Sequence, residues 1–104
     1  MKILIAEDHN TSRNMLVKVL QKQGFEVVET VDGEDAWQKM QEADAPQLLI
    51  LDIMMPRMDG ISLAKEIRKS SELVPIVFLT AKTMDEDRIS GFQAGCDDYI
   101  TKPF

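Results

Sequence analysis

The sequence predicts an α/β fold built on a doubly wound parallel sheet, and two observations carry that prediction. Three short runs, residues 3–6, 48–51 and 76–79, are apolar at every position, the pattern of strands covered on both faces. Between the strand-like runs lie segments in which apolar residues return at helical spacing. Strand and helix therefore alternate with short connections, which implies right-handed crossovers and parallel pairing. The length of 104 residues suits one core and leaves no room for a second, so residues 1–104 are read as a single domain.

The elements follow in order. After the run 3–6, Met15, Leu16, Val19 and Leu20 mark the first helix, with Thr11 or Ser12 as N-cap and Gly24 beyond its end. Residues 25–29 mix polar and apolar side chains and read as a strand nearer an edge. Ala36, Trp37, Met40 and Ala43 repeat the helical pattern after Asp32-Gly33, and Pro46 stops it. The run 48–51 is the third strand, and Ile61, Ala64 and Ile67 form a third helix after Asp59-Gly60. The run 76–79 is the fourth strand. A fourth helix is expected from about 85 to 94, with Ile89 and Phe92 facing inward, Gly95 as its stop and Gly91 weakening it. Tyr99-Ile100-Thr101 is a short fifth strand ended by Pro103.

Composition removes several classes of function. Hydrophobic residues make up 44% and charged residues 29% of the chain, an ordinary globular balance. The net charge is -6 and the 12 Lys and Arg are scattered, so no footprint for direct nucleic-acid binding exists. Cys96 is the lone cysteine, which excludes an internal disulfide, and Met1-Lys2-Ile3 leads straight into a strand rather than a signal peptide. No apolar run approaches the roughly 20 residues needed to cross a bilayer. A soluble cytoplasmic protein without membrane contact is expected.

In an open parallel sheet, ligands bind beyond the carboxyl ends of the strands, where strand order reverses. Those ends carry Glu7-Asp8, Asp52, Thr80 and Thr101-Lys102. Taken singly, each has an ordinary reading: a solvated loop acid pair, a strand-terminating acid, a turn hydroxyl, a surface lysine. Their shared placement is what points to chemistry. Three carboxylates gathered within a few Å repel one another by on the order of 4 kcal/mol per pair at 4 Å and an effective dielectric of 20, so they call for a cation. Mg²⁺ fits, as a hard ion that takes oxygen ligands and keeps water positions which a phosphoryl oxygen can fill; Ca²⁺ and Mn²⁺ are chemically possible. A carboxylate beside such a metal, with a lysine and a hydroxyl near, is arranged for attack on phosphorus. Asp52 is the candidate nucleophile, with Lys102 and Thr80 neutralising and hydrogen-bonding the phosphoryl oxygens.

These residues carry a family resemblance. Ile3-Leu4-Ile5-Ala6-Glu7-Asp8, Leu51-Asp52-Ile53-Met54-Met55-Pro56-Arg57-Met58-Asp59-Gly60, Leu79-Thr80-Ala81-Lys82 and Tyr99-Ile100-Thr101-Lys102-Pro103-Phe104 together resemble the receiver domain of two-component response regulators, over the whole chain. The resemblance implies a flavodoxin-like sheet of strand order 2-1-3-4-5. It implies that Glu7, Asp8, Asp52 and the backbone carbonyl of Met54 hold Mg²⁺, that Asp52 is the phosphoacceptor, and that Thr80 and Lys102 contact the phosphoryl group. It further implies a switch in which Thr80 and Tyr99 move together; otherwise Tyr99 is an edge-strand aromatic. The donor would be a sensor histidine kinase or histidine phosphotransfer protein, and the recipient of the signal a downstream protein target or output domain. Such a protein is not a conventional enzyme, although it catalyses its own phosphorylation and dephosphorylation.

The family's fifth helix has no counterpart before Phe104. The expectation is a truncated or engineered form in which the apolar face of the last three strands beside the first helix lies open, or a homodimer that covers it. Two rival readings are weaker, and a third is the serious alternative. A haloacid dehalogenase-type hydrolase wants a second acid where Met54 stands. A flavodoxin-like cofactor binder wants a glycine- and hydroxyl-rich loop in place of Glu7-Asp8-His9-Asn10. A receiver-like interaction scaffold would keep the fold and lose the signalling. His9, the lone histidine, is read as a surface residue. The seven Met include Met15 and Met40 on helical core faces and Met54, Met55 and Met58 about the Asp52 loop, where packing explains them better than a soft metal.

Overall fold

The computed structural model describes residues 1–55, 57–70, 74–81 and 98–102, with the backbone alone described at 80, 81, 99, 101 and 102. Along the chain these form β1 (Lys2–Ala6), α1 (Asn10–Lys22), β2 (Glu26–Thr30), α2 (Gly33–Met40), β3 (Leu48–Asp52), α3 (Gly60–Ser70), β4 (Ile76–Ala81) and β5 (Asp98–Lys102). The expected helix at about 85–94 lies outside the described residues.

The strands form one sheet of order β2-β1-β3-β4-β5, every neighbouring pair parallel. This is the doubly wound arrangement expected from the alternating pattern. Because side chains alternate across a strand, the register Ile5↔Ile50 and Ile50↔Val77 sends one set to one face. There Ile3, Ile5, Ile50 and Leu79 pack with Val17, Leu16 and Leu20 of α1. The alternate set, Leu4, Ala6, Leu49, Leu51, Ile76 and Phe78, packs on the other face with Ala36 of α2 and Leu63, Ala64 and Ile67 of α3. Two cores sharing one sheet explain why the central strands are apolar throughout.

Four local expectations are corrected. First, α1 begins at Asn10 rather than after a Thr11 or Ser12 cap. His9 is the N-cap residue, with extended backbone and no side-chain capping bond, and its carbonyl accepts the first helical bond from Arg13 N–H at 3.0 Å. Second, Met15 and Val19 do not face the core; they are 49% and 57% exposed. Val17 takes the buried position, because Arg13 points at the end of β1, its Nη1 donating to the Glu7 carbonyl at 2.9 Å, and this fixes the rotation of the helix. Third, α2 ends at Met40, before Ala43 and Pro46, through tight-turn bonds from Gln41 N–H to Gln38 and from Glu42 N–H to Lys39. Fourth, the face expected to lie open along three strands is buried at Ile50 and Leu79 and is open only at Ile100 of β5, so the expectation holds at the edge strand alone among the described residues.

The far end of α1 matches its prediction. Gly24 adopts φ 92°, its N–H bonds to Gln21 O at 3.0 Å and Phe25 N–H bonds to Leu20 O at 3.2 Å. This paired closure needs a left-handed residue. It delivers Phe25 onto the core beside Leu20. Among the described residues no helix is long and apolar enough to cross a membrane.

Candidate functional site

The sheet order places β2 on one side of β1 and β3 on the other, so the order reverses between β1 and β3. The pair Ala6↔Leu51 then sets the next residues, Glu7 and Asp52, side by side beyond the carboxyl ends. Single carboxylate oxygens from Glu7, Asp8 and Asp52 all lie within 4.8 Å of one another. Glu7 is 0% and Asp52 6% exposed, whereas Asp8 is open to solvent. The three acids read from the sequence are thus brought together. Like charges at that spacing oppose one another by roughly 3 kcal/mol per pair at an effective dielectric of about 20, and a hard divalent cation is the ligand such an all-oxygen donor set fits. His9 is not among these ligating atoms; it serves as the N-cap of α1.

The two buried acids are held by hydrogen bonds to their neighbours. Glu7 N–H donates to Thr30 O at 3.2 Å, continuing the β1–β2 ladder one residue past β1. The buried Thr30 hydroxyl donates to Ile5 O at 2.8 Å. Arg13, which grips the Glu7 carbonyl, also donates to Asn10 Oδ1 at 2.6 Å and pairs with Glu29 at 3.5 Å. Asp52 Oδ1 accepts from Met54 N–H at 3.1 Å, so the chain after β3 bends back over its own carboxylate. Ile53 N–H donates to Leu79 O at 3.1 Å, and Gly60 N–H closes the loop onto Ile53 O at 3.1 Å.

Two glycines permit that closure. A Cβ on Gly60 would overlap the Asp52 carbonyl oxygen and sit 3.0 Å from its carbon and 3.1 Å from Ile53 Cα. A Cβ on Gly33 would overlap the Met58 carbonyl oxygen and sit 2.8 Å from its carbon. The starts of α3 and α2 therefore press directly on the Asp52 loop. Asp32, buried before α2, accepts from Asp35 N–H at 2.8 Å and forms an ion pair with Arg57 of the loop. The Asp35 N–H, with help from Arg57, holds the Asp32 carboxyl below its ordinary value against the opposing effect of burial.

The remaining predicted site residues are placed by backbone alone. Asp52 pairs with Leu79, so Thr80 lies one residue further along the neighbouring strand, itself paired with Thr101. Lys102 pairs with Ala81 at the end of β5, and Tyr99 with Phe78. The side chains of Thr80, Tyr99 and Lys102 lie outside the described residues. Sequence reasoning missed Arg13, Asp32 and Arg57. Asp32-Gly33 and Asp59-Gly60 were legible as helix starts, and their repeated Asp-Gly form was the one available hint of a close approach.

Comparison with known proteins gives one family. The model for the response regulator receiver domain matches residues 3–104. The alkaline phosphatase synthesis transcriptional regulatory protein PhoP of Bacillus subtilis (strain 168) is 40% identical over 103 residues, covering 99% of this chain and 42% of the relative. The chain thus spans less than half the length of that curated relative. The receiver domain of NtrX from Brucella abortus has 31% identity and a TM-score of 0.89, with 98% of this chain and 86% of that one covered. The receiver domain of sensor histidine kinase PA1611 from Pseudomonas aeruginosa PAO1 has 32% identity and a TM-score of 0.86, with 99% and 85% covered; it holds a magnesium ion in its active-site cleft. On fold, strand order and sequence alike, the chain belongs to the response regulator receiver domain family.

Proposed function

We propose that Asp52 accepts a phosphoryl group from a histidine of a sensor kinase or phosphotransfer protein. The observation that carries this reading is the convergence of Glu7, Asp8 and Asp52 oxygens within 4.8 Å at the point where strand order reverses. Glu7, Asp8, Asp52 and the Met54 carbonyl are the residues that would hold Mg²⁺. Bound there, the ion relieves the repulsion among the acids and neutralises charge on the phosphoryl oxygens.

An Asp52 carboxylate oxygen attacks phosphorus in line with the departing imidazole nitrogen. The O–P bond forms as the N–P bond breaks, and the imidazole takes up a proton. The Met54 N–H bond to Oδ1 orients the carboxylate for that attack. Lys102 and Thr80, at the ends of β5 and β4, would contact the transferred group, and Thr80 with Tyr99 would relay its arrival. Water later attacks the acyl phosphate and restores Asp52, so the chain catalyses its own phosphorylation and dephosphorylation.

Residues 1–104 form this one receiver domain. The signal passes to a downstream protein or output domain, in a cytoplasmic setting. The name of the Bacillus relative, a transcriptional regulator, supports an output that acts on transcription. A second copy covering the face of the last three strands beside α1, where Ile100 is exposed, is the homodimer this reading includes; light scattering across a concentration series tests it, and a monomer throughout would exclude it.

Incubation with Mg²⁺ and acetyl phosphate, followed by intact-mass measurement, tests the central claim. One phosphoryl group should be gained by the wild type and none by Asp52→Asn. A gain that survives that substitution, or that needs no divalent cation, would overturn the reading.

A further inference from the structure

The loop between Asp52 and Gly60 is fastened at both ends by its own backbone, through Met54 N–H on Asp52 Oδ1 and Gly60 N–H on Ile53 O. Between those points it is fastened by something else. Arg57 has φ 65°, the left-handed region that a long side chain occupies only when its surroundings hold it there. What holds it is Asp32, whose side chain is 4% exposed while that of Arg57 is 67% exposed. Asp32 is itself immobilised, since it caps α2 through Asp35 N–H and precedes the Gly33 that presses on the Met58 carbonyl. A rigid anchor on one loop thus grips a strained residue on the other.

We propose that Asp32 and Arg57 are positioning residues that clamp the Asp52 loop to the start of α2 and keep Met54 in the place from which it orients Asp52 and reaches the metal. The effect on the metal rests on the Mg²⁺ reading above; the effect on the loop does not. The pair is not among the acids gathered at the sheet's carboxyl edge. Its work is to keep the backbone of residues 53–55 and 57–59 in one conformation before the ion arrives, so that binding does not have to order it. This chain therefore carries part of its metal affinity on the β2–α2 connection, away from the acids.

The test separates the clamp from general stability and from the metal reading. Arg57→Asn removes the cation while keeping a residue that tolerates the left-handed region. Asp32→Asn keeps an acceptor for the α2 cap while removing the anion. Hydrogen exchange of the amides of 53–55 and 57–60, measured without metal, should quicken about fivefold in either variant, the size expected for one partly exposed ion pair. Mg²⁺ affinity, read by calorimetry, should fall by a similar factor, while the melting temperature falls by no more than about 4–8 °C. Arg57→Lys should recover most of both losses, and the double variant should lose no more than either single one. Wild-type exchange rates in Arg57→Asn and Asp32→Asn would overturn the clamp, as would additive losses in the double variant. If the wild type itself binds no Mg²⁺, the metal reading fails and the metal-free exchange rates still decide the clamp.

Discussion

Replacing Gly60 by alanine puts one methyl group where α3 meets the carbonyl of the proposed phosphoacceptor. The added carbon would overlap the Asp52 carbonyl oxygen and press on the Asp52 carbonyl carbon at 3.0 Å and Ile53 Cα at 3.1 Å. All three neighbours are backbone atoms of a buried strand end, so no side chain can swing aside. Overpacking of this kind costs about 1–3 kcal/mol. Alanine regains up to ~1 kcal/mol as a better helix former, which leaves a net loss of about 1–2 kcal/mol. For a domain of this size that lowers the melting temperature by roughly 5–15 °C. The relief available is to push α3 away from β3, which drags the Asp52 loop with it. Thermal melts with and without Mg²⁺ check both consequences: the metal-free melting point should drop, and the gain on adding Mg²⁺ should shrink. An alanine variant that melts within about 2 °C of wild type with an undiminished Mg²⁺ response would refute the claim that glycine is required for the approach to Asp52.

Further outcomes follow from the same geometry. Asp8→Asn should raise the metal-free melting point, because one member of a mutually repelling set is neutralised, and should weaken Mg²⁺ binding at least tenfold by titration calorimetry; a variant that loses stability without metal would contradict the repulsion argument. Asp32 has its folded pKa lowered from 3.8, first by the Asp35 N–H and then by Arg57. Its stabilisation is therefore present above about 3.8 and is lost as pH falls through the lower folded value. Urea unfolding from pH 6 down to pH 2 should show a shallower acid loss in Asp32→Asn than in wild type. Gly24→Ala, at φ 92° with nothing within 4 Å of the new carbon, should cost about 1–2 kcal/mol from backbone strain alone, read as a lower urea midpoint with unchanged slope and unchanged Mg²⁺ affinity.

How much the sequence revealed depended on whether a residue's role was local. The strands at 3–6, 48–51 and 76–79 were legible because both their faces are buried, which leaves no polar position to confuse the pattern. The acids were legible because a strand end projects its next residue in a direction that the sheet alone dictates. The rotation of α1 was not, since it answers to Arg13 reaching back to the Glu7 carbonyl rather than to the spacing of Met15 and Val19. Its start was missed for a related reason: Thr11 and Ser12 are good caps by type, yet the first helical bond already closes on His9. The Asp32–Arg57 pair joins residues 25 apart, and neither a strained arginine nor a buried capping aspartate leaves a periodic trace.

The placement of β1 at the middle of the sheet also bears on how the chain is made. This strand is synthesised before the other four, yet it gains its β2 neighbour only after Thr30 has been synthesised and its β3 neighbour only after Leu51. Until then four apolar residues wait beside Glu7 and Asp8, whose charge is a safeguard against premature self-association. Completion of β3 ends the wait and, with Asp52, brings in the third negative charge. The step that seals the centre of the sheet is thus the step that brings the three acids together, so the order of synthesis ties completion of the sheet to assembly of the proposed cation site.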